Sequence, residues 1–435
     1  MTPYTTRQPF EGFPHNLLKT VLNQIESEIN TCAQLLGTKD KIPASFITLP
    51  FNQTMISTIN GQAQIKKTYN PDAIFLVGIG GSALGCQAVF NTLSGSWPNL
   101  LNRPALYVAD TIDVDKIYAM FNIIEEYQNA HKTVMVVIVS KSGTTLETCV
   151  NAAFIIDKVK SLYPENYRDL ISIVSCAQTP LHKQAETENF LFLEIPQEIS
   201  GRFSLLTAAG LFPLSLLGID ITALCTGARR AIENFIRTGA ALPENQAAQN
   251  CAYWYLLFQK GYINHNLFVF DETGEYLGKW YRQLIAESLG KKYDIHGNLV
   301  ETGILPIVSI GTTDLHAMIP VLLHGPRNTL THFLWIEPKE ADLTAPTWES
   351  MEIPSLPINS IKKALFKSTE ASFAAEKRPF LTTNLSKNAH DLGYFMQNAM
   401  CHIMLMGNLL QVNPFDQPAV ELYKSEAKKL LNPGI

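Results

Sequence analysis

Two segments rich in glycine and hydroxyl groups carry the first recognisable chemistry of this chain. IFLVGIGGSALG (74–85) runs an apolar stretch into Gly78, Gly80, Gly81 and Ser82. Glycines let the main chain turn tightly and bring N–H groups close to an anion, which the start of a following helix also attracts. VMVVIVSKSGTTLETCVNAAFII (134–156) repeats the arrangement, with Ser140, Lys141, Ser142, Gly143, Thr144, Thr145 and Thr148 inside nine positions. Hydroxyls and main-chain N–H groups at a helix start can surround a phosphate monoester on several sides, and Lys141 adds charge. One Ser or Thr at such a place more often caps the helix, but five hydroxyls exceed what a single cap needs.

The first segment also admits another reading. Gly78-x-Gly80-x-x-Ala83 fits the dinucleotide fingerprint, with a strand before it and a helix after it. That fingerprint expects an acidic residue ~20 positions on, whereas Asp110 lies 27 residues beyond Ala83. The match is weak, and a nicotinamide or flavin enzyme stands as a rival.

Further candidates lie downstream. Arg202, in SGRFSLLTAAG (200–210), precedes an apolar stretch where a guanidinium needs an anionic partner. GKWYRQLIAESLGK (278–291) reads as a helix with Gln283 and Glu287 four apart on one face. Among Leu284, Ile285 and Ala286, a partly buried Glu287 can have a raised pKa suited to proton transfer. With Lys291 at i+4, residue types alone favour a solvated ion pair instead. His316, in GTTDLHAMIP (311–320), has no partner identifiable from sequence, and a lone histidine is more often packed or solvated than catalytic. In GNLLQVNPFDQPAVELYK (407–424), Gln417, Glu421 and Lys424 share a helix face, a spacing that commonly gives surface ion pairs only.

The elements that must position these groups follow from apolar patterning. Leu17, Leu18, Val21, Leu22, Ile25 and Ile29 recur at helical spacing. Short apolar runs then mark strands at Ile74–Val77, Ala105–Val108, Val134–Val139, Ile171–Val174 and Phe190–Ile195, mostly with helix-like segments between them. Strand alternating with helix implies a parallel sheet covered on both faces. Composition shifts after Ile221. The second half repeats the pattern with Leu267–Phe270, Leu305–Val308 and Phe333–Ile336, then ends in helices near 360–378, 388–411 and 417–431.

At 435 residues, 46% apolar and 17% charged, the chain should fold as two or three ordinary globular domains rather than stay disordered or form a coiled coil. Lys plus Arg is 34 against 39 Asp plus Glu, and no long run of either sign marks a nucleic acid or an acidic membrane as partner. Seven scattered cysteines without a C-x-x-C pair argue against a disulfide framework and a zinc cage, and for a reducing compartment. With no signal-peptide pattern and no uninterrupted apolar run of ~18 residues, a cytoplasmic protein without a membrane segment is expected.

GIGGS and SKSGTTLET together resemble the sugar-isomerase (SIS) phosphate-binding module. From about residue 40 to the C-terminus the chain is similar to the glucose-6-phosphate isomerase family, most of all to its shorter bacterial members. The resemblance implies an α/β protein of two SIS-type αβα sandwich domains with mainly parallel sheets, plus a helical C-terminal segment. The expected layout is a helical segment over 1–44, SIS domains over 45–221 and 222–410, and a final helix within 411–435. The implied activity is reversible isomerisation of glucose 6-phosphate and fructose 6-phosphate by ring opening and a cis-enediol, without metal or organic cofactor.

By the same resemblance, Gly81, Ser82, Ser140, Lys141, Ser142 and Thr145 bind the phosphate, with Gln283 and Gln417 beside it. Arg202, within a GGRFS-type motif, stabilises charge on the enediolate, and Glu287, within Q-x-x-x-E-S-x-G-K, is the base. Lys424 stands by the ring oxygen, and His316, within a TDLHS-type motif, assists ring opening from a neighbouring subunit, so a homodimer is expected. Ser200 and Ala419 occupy positions where the family usually has glycine. The rivals are an isomerase of another sugar phosphate, such as mannose 6-phosphate, and a sugar-phosphate sensor without catalysis.

Overall fold

Apolar runs too short for helices become strands when both of their faces can be covered. The computed structural model describes residues 5–7, 13–38, 40–347 and 355–431. Its strands are β1 (Thr5–Arg7), β2 (Pro71–Val77), β3 (Ala105–Ala109), β4 (Thr133–Ser140), β5 (Ile171–Ser175), β6 (Leu191–Glu194), β7 (Asn264–Phe270), β8 (Lys291–Tyr293), β9 (Leu299–Thr302), β10 (Leu305–Ile310), β11 (Thr329–Glu337) and β12 (Phe380–Ser386). One sheet, ordered β3-β2-β4-β5-β6, is parallel throughout. The other, ordered β1-β12-β11-β7-β10, is parallel except for β1. β8 and β9 form a separate antiparallel ribbon.

Every strand expected from sequence is present, and the α/β class with mainly parallel sheets and helical C-terminal elements holds. The sequence reading has only helices after β11 and misses β12, FLTTNLS, because two of its five buried residues are threonines. Thr382 donates to Glu370 at 2.6 Å and Thr383 bonds His332 at 2.8 Å, so cross-contacts replace the apolar run that would have marked a strand. The strand β1 lies inside the stretch expected to be helical, and at three residues it is too short to show alternation.

Side chains of β7, β11 and β12 alternate between two layers. Phe268, Phe270, Phe333, Trp335 and Phe380 pack on one face against Phe366 and Phe373 of the helix Ile358–Ala375. Leu267, Val269, Leu334, Ile336, Leu381 and Leu385 point to the other face, into a core continuous with the inner residues of the first sheet. That shared core contains the helix Ala389–Leu409, buried nearly all round, and the apolar face of Glu275–Leu289. The latter helix is therefore a rigid mount for whatever its opposite face presents. Among the described residues no helix is long and apolar enough to cross a membrane, and all seven cysteines are unpaired.

Three buried histidines cluster at the second sheet: His265 on β7 and His332 on β11, with ring centroids 6.0 Å apart, and His402, Trp254 lying 4.2 Å from His265 and 4.9 Å from His402. Burial disfavours the imidazolium and pushes His332 down to about 4 and His402 down to about 3, with His265 also lowered by burial and by its two histidine neighbours. An unfolded chain takes up protons at these positions as pH falls through about 6.5, while the folded chain resists until far lower pH. Stability is therefore full above about 6.5 and is lost progressively on acidification below it. The urea midpoint should fall between pH 7 and pH 5, and His332→Gln should flatten that dependence; equal slopes for both proteins would show that these histidines do not control it.

Candidate active site

In a parallel sheet the loops after the strands gather at one edge, where ligands bind. Here the loops after β2, β4 and β5 open into a cleft of about 640 Å³, and its far wall comes from the helix Glu275–Leu289 and the terminal helix Pro418–Leu431. Gly80, Gly81 and Ser82 line it from the first loop. Lys141, Ser142 and Thr145 line it from the second, and Cys176, Ala177 and Thr179 from the third. Arg202, Gln283, Glu287, Gln417 and Lys424 complete it.

The glycine loop is fixed by close backbone contact. A Cβ on Gly81 would lie 2.2 Å from the carbonyl carbon of Gly201, so the loop after β2 and the turn carrying Arg202 touch main chain to main chain. Ser204 Oγ ties the two by donating to Gly201 O at 2.7 Å and Gly81 O at 3.4 Å. Gly80 has φ +58°, and a side chain there would strike the Gln283 amide. The glycines thus bring the Gly80–Ser82 turn within reach of Gln283 on the facing helix.

In the second loop the hydroxyls bond to the loop itself. Thr145 Oγ1 lies 3.1 Å from Ser140 Oγ and 3.4 Å from Ser142 Oγ, and Ser142 Oγ accepts from Thr144 N at 3.2 Å. Thr145 is the N-cap of the helix Leu146–Leu162, yet no side chain caps that helix. The capping explanation of this hydroxyl cluster is therefore set aside, and the helix start faces the cleft without an internal acceptor. Ser140 differs from its neighbours. It is buried beneath the loop, accepts from Gly143 N at 3.2 Å, and shapes the turn without lining the cleft. Burial and the nearby Arg202 pull Lys141 below its usual value, while Cys176 and Glu198 act the other way.

Arg202 is 1% exposed, and all of its donors are used. Nε donates to Ser288 Oγ at 2.8 Å, Nη1 to Glu287 Oε2 at 3.2 Å and to Gln417 Oε1 at 3.1 Å, and Nη2 to the carbonyls of Pro414 and Asp416. Only Nη1 bonds to side chains that line the cleft. Burial lowers the pKa of the guanidinium, and Glu287 and Asp416 oppose that effect; an arginine this well bonded keeps its charge.

Lys291 does not form the solvated pair with the Glu287 carboxylate that its spacing suggests. Its ammonium is buried and turns to the main-chain carbonyl of Glu287 and to Asp416. The Glu287 carboxylate, 28% exposed, is left facing the cleft with Arg202 as its cation. Lys424 projects into the same space, 3.0 Å from Glu421, at 39% exposure. His316 is not there: it is exposed at the end of a short turn after β10 and lines no part of this cleft.

A profile of phosphoglucose isomerase matches residues 51–342. The chain belongs to the phosphoglucose isomerase family. It is 31% identical to the glucose-6-phosphate isomerase of Lacticaseibacillus casei over 408 residues, covering 89% of this chain and 87% of that protein. Against the glucose-6-phosphate isomerase of Fusobacterium nucleatum it is 30% identical over 429 residues, covering 94% and 92%. Among solved structures, a hypothetical protein from Thermus thermophilus superposes with TM-score 0.86 at 26% identity over 98% of this chain and all of that one. A glucose-6-phosphate isomerase from Chlamydia trachomatis shares the fold, with TM-score 0.80 at 16% identity over 99% and 89%.

At the two positions where the family resemblance leads one to expect glycine, the backbone is ordinary. Ser200 has φ −75° and ψ 154°, an ordinary extended conformation. Ala419 is exposed in the first turn of the terminal helix. Neither position demands a glycine backbone. The loop after β5 escaped the sequence reading because SCAQT holds no glycine; the one signal for it was Thr179 ahead of Pro180, a helix start.

The close approach at Gly81 has a measurable consequence. Gly81→Ala should cost about 1–3 kcal/mol by forcing the two turns apart, with loss of activity. Gly61→Ala, at an exposed helical site with open space around it, should instead stabilise by about 0.5–1 kcal/mol. Urea unfolding and activity of the two variants check this, and a Gly81→Ala protein of unchanged midpoint and rate would count against the backbone contact.

Proposed function

We propose that this protein interconverts glucose 6-phosphate and fructose 6-phosphate, the reaction for which its Lacticaseibacillus and Fusobacterium relatives are named, at a cleft between units 45–221 and 222–410 completed by the helix of 411–435. The observation that carries this reading is a single cleft joining phosphate-type loops of the first sheet to a carboxylate held by a buried guanidinium. An aldose–ketose shift needs those parts together: an anchored phosphate, a base beside C1 and C2, and a fixed positive charge.

On this reading Gly81, Ser82, Lys141, Ser142 and Thr145 hold the phosphate, with Gln283 and Gln417 beside it and Ser140 supporting the loop from below. Lys424 and His316 open the ring: Lys424 stands by the ring oxygen, and His316 moves the proton between that oxygen and the C1 hydroxyl. Glu287 then takes the proton from C2 of the aldose, leaving a cis-enediolate whose charge faces Arg202, and returns it to C1. The electron pair of the C2–H bond forms the C1–C2 double bond as the C1 carbonyl pair moves to O1; a proton then passes from O2 to O1, an O2 pair forms the C2 carbonyl, and the double-bond pair takes the proton from Glu287 as the new C1–H bond. The reaction needs no redox partner, and its place is in glycolysis and gluconeogenesis.

His316 is exposed and lines no part of its own cleft, which suits delivery to the site of a second copy in a homodimer. The seven unpaired cysteines suit a cytoplasmic enzyme.

A coupled assay with fructose 6-phosphate in the presence of EDTA tests the reaction. Turnover should persist in EDTA and fall by about 10²- to 10⁴-fold in Glu287→Gln; near-normal turnover in that variant would remove the base assignment. Mixing Glu287→Gln with His316→Ala should restore about a quarter of wild-type activity once subunits exchange, because half of the dimers then carry one intact site. No restoration in verified heterodimers would mean that each chain uses its own histidine.

A further inference from the structure

Lys291 is buried against the site and takes no part in the steps above. Its side chain is 3% exposed, and Nζ donates to the carbonyl of Glu287 and, at 3.1 Å, to the carbonyl of Asp416, whose carboxylate lies 3.4 Å away. A lysine at a helix C-terminus commonly bonds the last carbonyls of its own helix. This one has a second anchor outside the helix, and Arg202 Nη2 donates to the same Asp416 carbonyl at 2.9 Å. Two buried cations therefore fasten the 414–416 loop to the last turn of the helix Glu275–Leu289.

The loop leads into Gln417 and the terminal helix Pro418–Leu431, which bears Lys424. Packing along its length does not hold that helix: Leu422 is 71% exposed and Leu430 81%. Its direction over the cleft depends on how its first residues are fixed. We propose that Lys291 is a positioning residue, whose ammonium ties the main chain at Glu287 to the 414–416 loop and so sets the separation between the base and the ring-side Lys424. This rests on the roles given above to Glu287 and Lys424.

A geometric role differs from a merely structural one in what it changes. The phosphate loops belong to the first sheet and do not touch Lys291. For Lys291→Met, kcat per folded molecule should fall about 10- to 100-fold, as expected when reacting groups are displaced by about an ångström. KM for fructose 6-phosphate should change by less than about threefold, because uniform binding is left intact. Lys291→Arg, which keeps a charged donor, should recover most of the lost kcat.

Steady-state kinetics on the full-length proteins, with folded fraction measured by circular dichroism, decides between the outcomes. A lower melting temperature with unchanged kcat per folded molecule would overturn the proposal, as would a raised KM at constant kcat. Should Lys291→Met fail to fold, Lys291→Gln is read by the same split. A parallel Glu287→Gln measurement separates the two levels: activity there removes the base assignment, whereas an inactive Glu287→Gln beside a fully active Lys291→Met removes only the positioning role.

Discussion

A guanidinium taken out of water keeps its charge only where acceptors replace the lost hydration, and the acceptors around Arg202 come from separate parts of the chain. Ser288 and Glu287 lie on one helix, Gln417 begins another, and the carbonyls of Pro414 and Asp416 belong to the loop between the long buried helix and the terminal one. Leaving any of them away would strand part of a buried charge, which costs several kcal/mol. The requirement to satisfy one cation thus assembles the chemical half of the cleft. The turn that carries Arg202 is itself set against the glycine loop by the contact of Gly81 with Gly201, so the loop side of the cleft is placed by the same residue's neighbourhood.

The two halves have different physical character. The first sheet supplies hydroxyls, main-chain N–H groups and a helix start, which recognise an anion by geometry and partial charge. Full charges gather opposite: Glu287 and Lys291 at the end of a helix whose other face is locked in the shared core, and Arg202 reaching them from the turn after β6. Ionic groups near reacting atoms gain from a stiff mount because their effect falls steeply with displacement, and the core behind Glu275–Leu289 provides it. On the proposed reading, binding rests with loops and proton transfer with a buried scaffold.

Much of this was legible in the residues. Apolar runs mark the principal strands of both sheets apart from β12, and the two glycine–hydroxyl segments supply residues that line one cleft. Arg202 was recognisable as a buried cation in need of a partner. What the sequence could not disclose was direction. Lys291 at i+4 from Glu287 looks like its ion-pair partner, whereas the buried lysine turns from that carboxylate to a loop more than a hundred residues on, and only the packing of that loop reveals it. β12 was hidden for a related reason: Thr382 and Thr383 are buried because their hydroxyls have partners across the sheet and on a helix. Local pattern reports burial of apolar groups well and burial of satisfied polar groups poorly.

The bonds of Arg202 span 85 to 215 positions of sequence. Contacts of such separation close large loops and so form late and slowly when a chain folds. During refolding, strands and helices can regain their spectroscopic signal while the guanidinium still lacks its distant carbonyls. Over that interval the chain would be compact, hydrogen-bonded and inert, and the return of turnover would act as a clock for the final docking of its last residues onto its middle.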